Sequence, residues 1–460
     1  MQRATPDNLQ GVRAVVFGLG RFGGGVGAAR FLAQRGARVL VTDRSDEDAL
    51  RPALDSLADL NETADIRHRL GGHEEGDFRE TDLVIANPAV RPDHPMLAAA
   101  RDAGAIVTTE IALLIERLPP GSSTHPQRVI GVTGTAGKST TAAMIAHGLD
   151  KLTPDTVRLG GNLGGSLLPD IDRISRDDWV VLELSSFMLH HLRGLRWSPH
   201  VAVVTNFTAN HLDWHDTLER YRRDKQTLLD FQRDATDDAV VGGRGTRERF
   251  DFRVRRFATL STQEGASETG LPELLLPGAH NRLNARLAAI AIEAAIGCDV
   301  PGALQAVADF PGLPHRLQLV VEHNGVRFFN DSKSTTPEAA MRAIDSFKTG
   351  SIHVILGGYD KSVDLAPLAQ HAADHCRAIY TLGATGPAIA EAAGKYSSGA
   401  EVVTCDDLDH AVSEAVRRAQ VGEAILLSPG CASWGMFDHF ERRGEAFTEA
   451  AIRWTTETGA

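Results

Sequence analysis

The 460-residue sequence predicts an α/β protein built from parallel sheets covered by helices and divided into about three domains. Three observations carry this. Short apolar runs alternate with Ala-rich helical stretches along the whole chain, the pattern of strand–helix–strand units. The length is roughly three times a typical domain of about 150 residues. Most apolar runs end at glycines or polar residues, where such sheets gather ligands.

In chain order, the strands are expected at Ala14–Phe17, Arg38–Thr42, Leu83–Ala86, Val129–Val132, Val180–Leu184 and Val201–Thr205, then at His353–Leu356, Ala378–Leu382 and Ala424–Ser428. Two turn-rich stretches suggest boundaries. Pro119–Gln127, reading PPGSSTHPQ, precedes a fresh strand, and so does Pro311–Pro314, reading PGLP. Domains are therefore expected over residues 1–110, 111–312 and 313–460, with the helix Glu110–Leu118 assignable to either neighbour. The charged, Gly-rich patch Gly242–Arg256 reads as a surface excursion, and no internal repeat is visible.

Composition narrows the function. Apolar residues at 42% and charged residues at 23% fit a globular protein and exclude collagen, coiled coil and wholesale disorder. The net charge of -12 would repel a polyphosphate backbone, which argues against nucleic acid as the main partner. Cys298, Cys376, Cys405 and Cys431 form no CxxC pair, so neither a zinc cluster nor a disulfide framework is implied. No long apolar run marks a signal peptide or membrane span, and a soluble cytoplasmic protein is expected.

Two nucleotide signals follow. Gly18, Gly20 and Gly23 have G-x-G-x-x-G spacing after the first strand, and Asp43 closes the second. Such glycines let backbone NH groups approach a pyrophosphate, and the acid can accept hydrogen bonds from a sugar. A dinucleotide cofactor, another nucleotide or a purely structural turn would all satisfy this pattern, so an NAD-dependent oxidoreductase is one reading. The second signal is Thr133-Gly134-Thr135-Ala136-Gly137-Lys138-Ser139-Thr140, fed by Val129–Val132. Its NH groups can cradle phosphates, Lys138 can reach the terminal ones, and a hydroxyl can ligate Mg²⁺. It departs from the usual P-loop in having Val132 where the first Gly is expected. A P-loop switch without an acceptor substrate is the alternative. Beyond it, Glu183 at a strand end and His211 after the next strand offer a carboxylate and an imidazole beside the loop.

At these residues the chain resembles the Mur ligase family of ATP-dependent amino-acid ligases. Gly134-Thr135-x-Gly137-Lys138-Ser139, Glu183-Leu-Ser-Ser, Asn206 with His211, and His280-Asn281-x-x-Asn284 occur in the family's order. Asn330-Asp331-Ser332-Lys333-Ser334-Thr335 and Leu427-Ser428-Pro429-Gly430-Cys431-Ala432-Ser433 look like the branch that adds D-glutamate. The resemblance implies an N-terminal Rossmann-like UDP-binding domain, a central P-loop ATPase domain and a C-terminal Rossmann-like domain for the amino acid.

The implied roles are as follows. Gly134, Thr135, Gly137, Lys138, Ser139 and Thr140 handle ATP phosphates, with Asn281, Asn284, Arg316, Asp331 and Lys333 around the rest of ATP. Two Mg²⁺ ions are held by Ser139, Glu183, His211 and Lys225, the last as a carbamate; read from its charged run alone, Lys225 would be a solvated lysine. Gly20, Arg21, Phe22, Asp43, Arg44 and Asn162 hold UDP-N-acetylmuramoyl-L-alanine. Thr335, Lys361, Ser433 and Phe440 hold D-glutamate, Lys361 supplying the cation that a dianion needs. Lys138, Glu183, His211 and Lys225 form the catalytic set. The expected chemistry is transfer of the ATP γ-phosphate to a carboxylate, then attack by an amine, in a monomer with neither nucleic-acid nor membrane partner. A related ligase with another acceptor, including one that extends folate, stays open.

Overall fold

Three sheets form, each where an apolar run is flanked by helices. The structure is a computed structural model that describes residues 5–20, 23–60, 64–121, 127–242, 244–252, 254–260, 269–395 and 399–457. Arg21 and Phe22 lie outside the described residues. The chain makes two compact units, residues 1–266 with 283–307, and residues 267–282 with 308–460.

In the first unit, β1 (Arg13–Phe17), β2 (Arg38–Asp43), β3 (Ile66–Leu70), β4 (Leu83–Ala86) and β5 (Ile106–Thr108) form a parallel sheet in the order β3-β2-β1-β4-β5. Alternation along β1 covers both faces. Ala14 and Val16 join a core with Ala28, Phe31 and Leu32 of the helix Gly24–Gln34, whereas Val15 and Phe17 pack with Phe78, Val84 and Leu97. The order reverses at β1, so the loops after β1 and β4 flank a crevice.

The same unit holds β6 (Val129–Thr133), β7 (Val157–Gly161), β8 (Trp179–Glu183), β9 (Val201–Val204), β10 (Asp238–Gly242) and β11 (Arg256–Leu260), all parallel, in the order β11-β10-β9-β6-β8-β7. The patch from Gly242 to Arg256 is mostly exposed, with Gly245, Arg247, Glu248, Arg249 and Asp251 at the surface. It joins two paired strands through the short helix Arg244–Arg247, and Phe250 is buried in the core.

The helix Glu110–Arg117 settles between these sheets. Ile111, Leu113, Leu114 and Ile115 are buried in one core with Phe31 and Leu32 of the first sheet's helix and Leu168, Ile171 and Leu189 of the central region. No polar face remains to Ile111–Ile115, which is why sequence alone could not assign it.

In the second unit, β12 (Gln318–His323) and β13 (Val326–Asn330) form an antiparallel hairpin, and β14 (Ile352–Gly357), β15 (Ala378–Leu382), β16 (Glu401–Thr404) and β17 (Ala424–Leu427) run parallel to β13. The order is β12-β13-β17-β14-β15-β16. Insertion of β17 between β13 and β14 brings the ends of β13, β14 and β17 side by side. No helix among the described residues is long and apolar enough to cross a membrane.

Candidate functional site

In the first unit the chemistry gathers at the C-terminal ends of β6, β8 and β9, beside the reversal of strand order at β6. The loop after β6 turns into the helix Lys138–Leu152 through Gly137, whose φ of 79° is left-handed. A Cβ there would stand 2.6 Å from Asn284 Oδ1, so both conformation and space demand glycine. Asn206, just beyond β9, clamps the loop. Its Oδ1 accepts from Thr135 N at 3.2 Å and Ala136 N at 2.9 Å, and its Nδ2 donates to Ala136 O. Lys138 Nζ donates to Thr135 O at 3.1 Å, Ser139 is buried and Thr140 lies in the same first helical turn.

Glu183 ends β8 and is 1% exposed. Its Oε1 accepts from Asn162 Nδ2 at 3.0 Å, while its Oε2 is buried with no hydrogen-bond partner among the described residues. A buried carboxylate oxygen left in this state costs free energy unless a cation meets it, so the donor set fits a hard divalent ion such as Mg²⁺. His211 adopts φ of 53° and sets its ring 4.9 Å from that of Phe187. Burial, then the charge of Lys138, lowers its pKa.

Lys225 is 1% exposed, far from the solvated side chain that its charged neighbours suggested. The helix Leu218–Asp230 is polar in composition, yet it turns Tyr221, Asp224, Lys225, Leu228 and Leu229 inward. Lys225 Nζ donates to Gly134 O at 2.7 Å and Thr133 Oγ1 at 3.3 Å, and lies 4.7 Å from the centre of the Tyr221 ring. Burial first, and Lys138 second, push its pKa well below the usual amine range, against the opposing pull of Glu183 and Asp224. Asp224 is itself fixed by His190 at 3.0 Å and His215 at 2.9 Å.

A cavity of about 180 Å³ opens at the crevice of the first sheet. Gly18, Leu19, Gly20, Asn87, Pro88, Glu110, Asn162 and Phe187 are among its lining residues, so Gly20 and Asn162 come together there. Asp43 does not line it. Its carboxylate accepts from Leu19 N at 2.8 Å and Ser45 N at 2.9 Å, which braces the glycine loop. Arg44 is exposed, and its charge helps to lower the pKa values of His73 and His94. Sequence reasoning missed Asn87, Glu110 and Phe187. Burial raises the pKa of the Glu110 carboxyl to about 7, and Ser166 Oγ donates to it. Asn284, placed at the P-loop, accepts from Thr141 Oγ1 at 3.3 Å.

The second unit gathers the remaining predicted residues. Asn281 is buried and donates to Pro277 O at 2.7 Å. Asp331 follows β13 and accepts from Leu317 N, Ser334 Oγ and Ser428 Oγ, while burial raises its pKa to about 6. Arg316 is exposed near Asp331 and helps to hold that value down. A cavity of about 220 Å³ is lined by Thr335, Glu338, Tyr359, Lys361, Thr385 and Cys431, among others. Lys361 Nζ lies 4.6 Å from the centre of the Trp434 ring. Ser433 is buried on the adjoining turn, outside the lining. Phe440 also stands outside it, under Lys333 Nζ at 5.5 Å and beside the His315 ring at 5.9 Å. Arg443, 1% exposed, was not foreseen: it donates to Ser332 Oγ, Ser332 O and Cys431 O and so braces two of the loops.

Three family matches span most of the chain: the Mur ligase MurD-like N-terminal domain over residues 12–109, the Mur ligase middle domain over 132–246, and the Mur ligase glutamate ligase domain over 315–431. The chain belongs to the Mur ligase family and is a ligase of three α/β domains. Among its curated relatives, a UDP-N-acetylmuramoylalanine--D-glutamate ligase of Roseiflexus sp. (strain RS-1) is 38% identical over 95% of this chain and 98% of its own. One of the same name from Acidobacterium capsulatum is 34% identical over 96% and 97%. Solved structures share the fold: a UDP-N-acetylmuramate-alanine ligase of Thermotoga maritima covers 96% of this chain and 99% of its own, with a TM-score of 0.56 at 21% identity. A MurF ligase of the same organism, solved in complex with ADP, covers 98% and 100%, with a TM-score of 0.51 at 16% identity.

Proposed function

We propose that the chain joins D-glutamate to the L-alanine carboxylate of UDP-N-acetylmuramoyl-L-alanine at the expense of ATP, in the cytoplasm, as a step of peptidoglycan precursor synthesis. Domains are assigned to residues 1–110, 111–312 and 313–460. The alanine carboxylate takes the γ-phosphoryl group of ATP, releasing ADP. The amine of D-glutamate attacks the acyl carbon, a tetrahedral intermediate forms, phosphate leaves with the C–O electron pair, and the nitrogen gives up its proton.

Lys138 neutralises charge that grows on the phosphates during transfer, and the NH groups of Gly134 to Thr140 cradle them. The observation that carries the reading is the buried Glu183 Oε2 beside this loop, which has no hydrogen-bond partner among the described residues. Glu183, His211, Ser139 and Lys225 as carbamate would hold Mg²⁺, which supplies charge neutralisation when bound. A neutral Lys225 amine is the form that can add to CO₂, and the low amine pKa set by burial supports that reading. Arg316, Asp331, Lys333, Asn281 and Asn284 serve the rest of ATP.

Gly20 and Asn162 hold the nucleotide-linked substrate at the first cavity, with Arg21, Phe22, Asp43 and Arg44 assigned to the same substrate. Thr335 and Lys361 receive D-glutamate, with Ser433 and Phe440 beyond the cavity wall. The names carried by the relatives support this choice of acceptor. Phosphate release with UDP-N-acetylmuramoyl-L-alanine, measured across a panel of amino acids, tests it: D-glutamate is expected to be the best acceptor. A clear preference for L-glutamate or another amino acid would overturn the assignment.

A further inference from the structure

The second unit carries a cluster of metal-ligating side chains away from the residues assigned above. The helix Pro337–Ile344 is capped at its C-terminus by Asp345, and the helix Ala366–His375 carries His371 and His375 one turn apart. Ala340, Ala343 and Ile344 of the first helix and Leu368, Ala369 and Ala372 of the second lie in one buried core, which fixes the two helices together. One donor atom from each of Asp345, His371 and His375 lies within 4.8 Å of the others. His371 Nε2 is 2.8 Å from Asp345 Oδ1, and the two imidazole rings stack with centroids 4.2 Å apart at 23°.

We infer that Asp345, His371 and His375 form a binding site for a divalent transition-metal ion of the Zn²⁺ class. Two imidazole nitrogens and one carboxylate oxygen are a zinc donor set, whereas Mg²⁺ prefers oxygen alone. The second shell is in place as well. His375 Nδ1 donates to His371 O at 2.9 Å, which selects the tautomer whose Nε2 bears the lone pair. Bonds of about 2.0–2.1 Å to a tetrahedral ion place donors roughly 3.4 Å apart, so small rotations of exposed or half-buried side chains close the site. Binding through His371 Nε2 moves the proton now shared with Asp345 to Nδ1 or to water, and water fills the fourth position.

The two helices begin at the cavity that holds Lys361. Thr336, the cap of the first, and Leu365, the cap of the second, both line it. The ion sits at their opposite ends, where it clamps one helix to the other.

Chelator-treated full-length protein is dialysed against Zn²⁺, and separately titrated with Co²⁺ as a visible probe, in the wild type, in Asp345→Asn and in the double variant His371→Gln, His375→Gln. The wild type is expected to bind one more equivalent of Zn²⁺ than the double variant. Its Co²⁺ form is expected to show nitrogen/oxygen-ligand bands without thiolate charge transfer, and a large excess of Mg²⁺ should leave them in place. Asp345→Asn, which keeps the size of an exposed side chain and removes the charge that faces His371, should weaken Zn²⁺ binding at least tenfold and lose the rise in Tm that Zn²⁺ gives the wild type. Equal stoichiometry in the wild type and the double variant, displacement by Mg²⁺, or unchanged affinity in Asp345→Asn would each overturn the assignment.

Discussion

Burial decides what several single residues can do. Lys225 sits in a run of charges, but its amine is packed against Tyr221 and the carbonyl of Gly134. Lys225→Ala is expected to be nearly inactive in phosphate release and partly restored by short added carboxylates; full activity with no response to them would make the lysine structural. Lys361 answers a different demand. Losing one charge-assisted contact to a carboxylate costs about 1.5–3 kcal/mol, so Lys361→Met should raise the D-glutamate KM roughly tenfold to 150-fold, measured by steady-state kinetics, with the ATP KM little changed. Glu110 sets a pH dependence of stability. Burial raises its pKa from 4.5 to about 7. Between those values the folded state binds more protons than the unfolded chain, so its contribution to stability is fully present below about pH 4.5 and is lost as pH rises through about 7. The loss amounts to at most about 3 kcal/mol. Glu110→Gln should flatten that decline in urea titrations across this range.

At the scale of elements, the loop after β6 works because two glycines accept conformations closed to other residues. Gly134 has φ of 150°, and a Cβ there would lie 1.9 Å from Thr205 Oγ1. Gly137→Ala should cost about 1–2 kcal/mol for the left-handed backbone, plus the clash with Asn284, and phosphate release should fall with it. Gly165→Ala is the control. It shares a φ near 80° but has open space around its Cβ, so its thermal shift should be the smaller of the two. The strands legible in the sequence were chiefly the apolar central ones, such as β1, β6 and β14. The unread ones include edge strands whose side chains are partly exposed: β3 reads IRHRL, β7 reads VRLGG and β16 reads EVVT. An edge strand needs only one apolar face, and its polar residues mask the signal. The hairpin β12–β13 did carry a signal, Asn324-Gly325, both at positive φ, which the apolar-run criterion passed over.

For the whole molecule, the separation of cores predicts how it unfolds. One core runs through the first two sheets, from Leu9 to Phe250, and the second unit has its own clusters around Ile352 and Tyr380. Calorimetry should therefore resolve two transitions. UDP-N-acetylmuramoyl-L-alanine should raise one and D-glutamate the other, since each ligand stabilises the unit that binds it. Three independent transitions would show that the first two sheets do not share a cooperative core.

The sequence by itself determined the α/β class, the two phosphate-loop signals and the order of the family's motifs, because strand alternation, glycine spacing and motif order are local properties of the chain. Tertiary structure alone decided which polar groups lose water. It buried Lys225 and Glu110, left Glu183 Oε2 without a hydrogen bond among the described residues, turned Asp43 into a brace for the glycine loop, and brought Asp345 to His371 and His375. Those outcomes depend on which elements pack together. The electrostatic cost of a charge is fixed by the surroundings that packing creates, and no sequence window contains them.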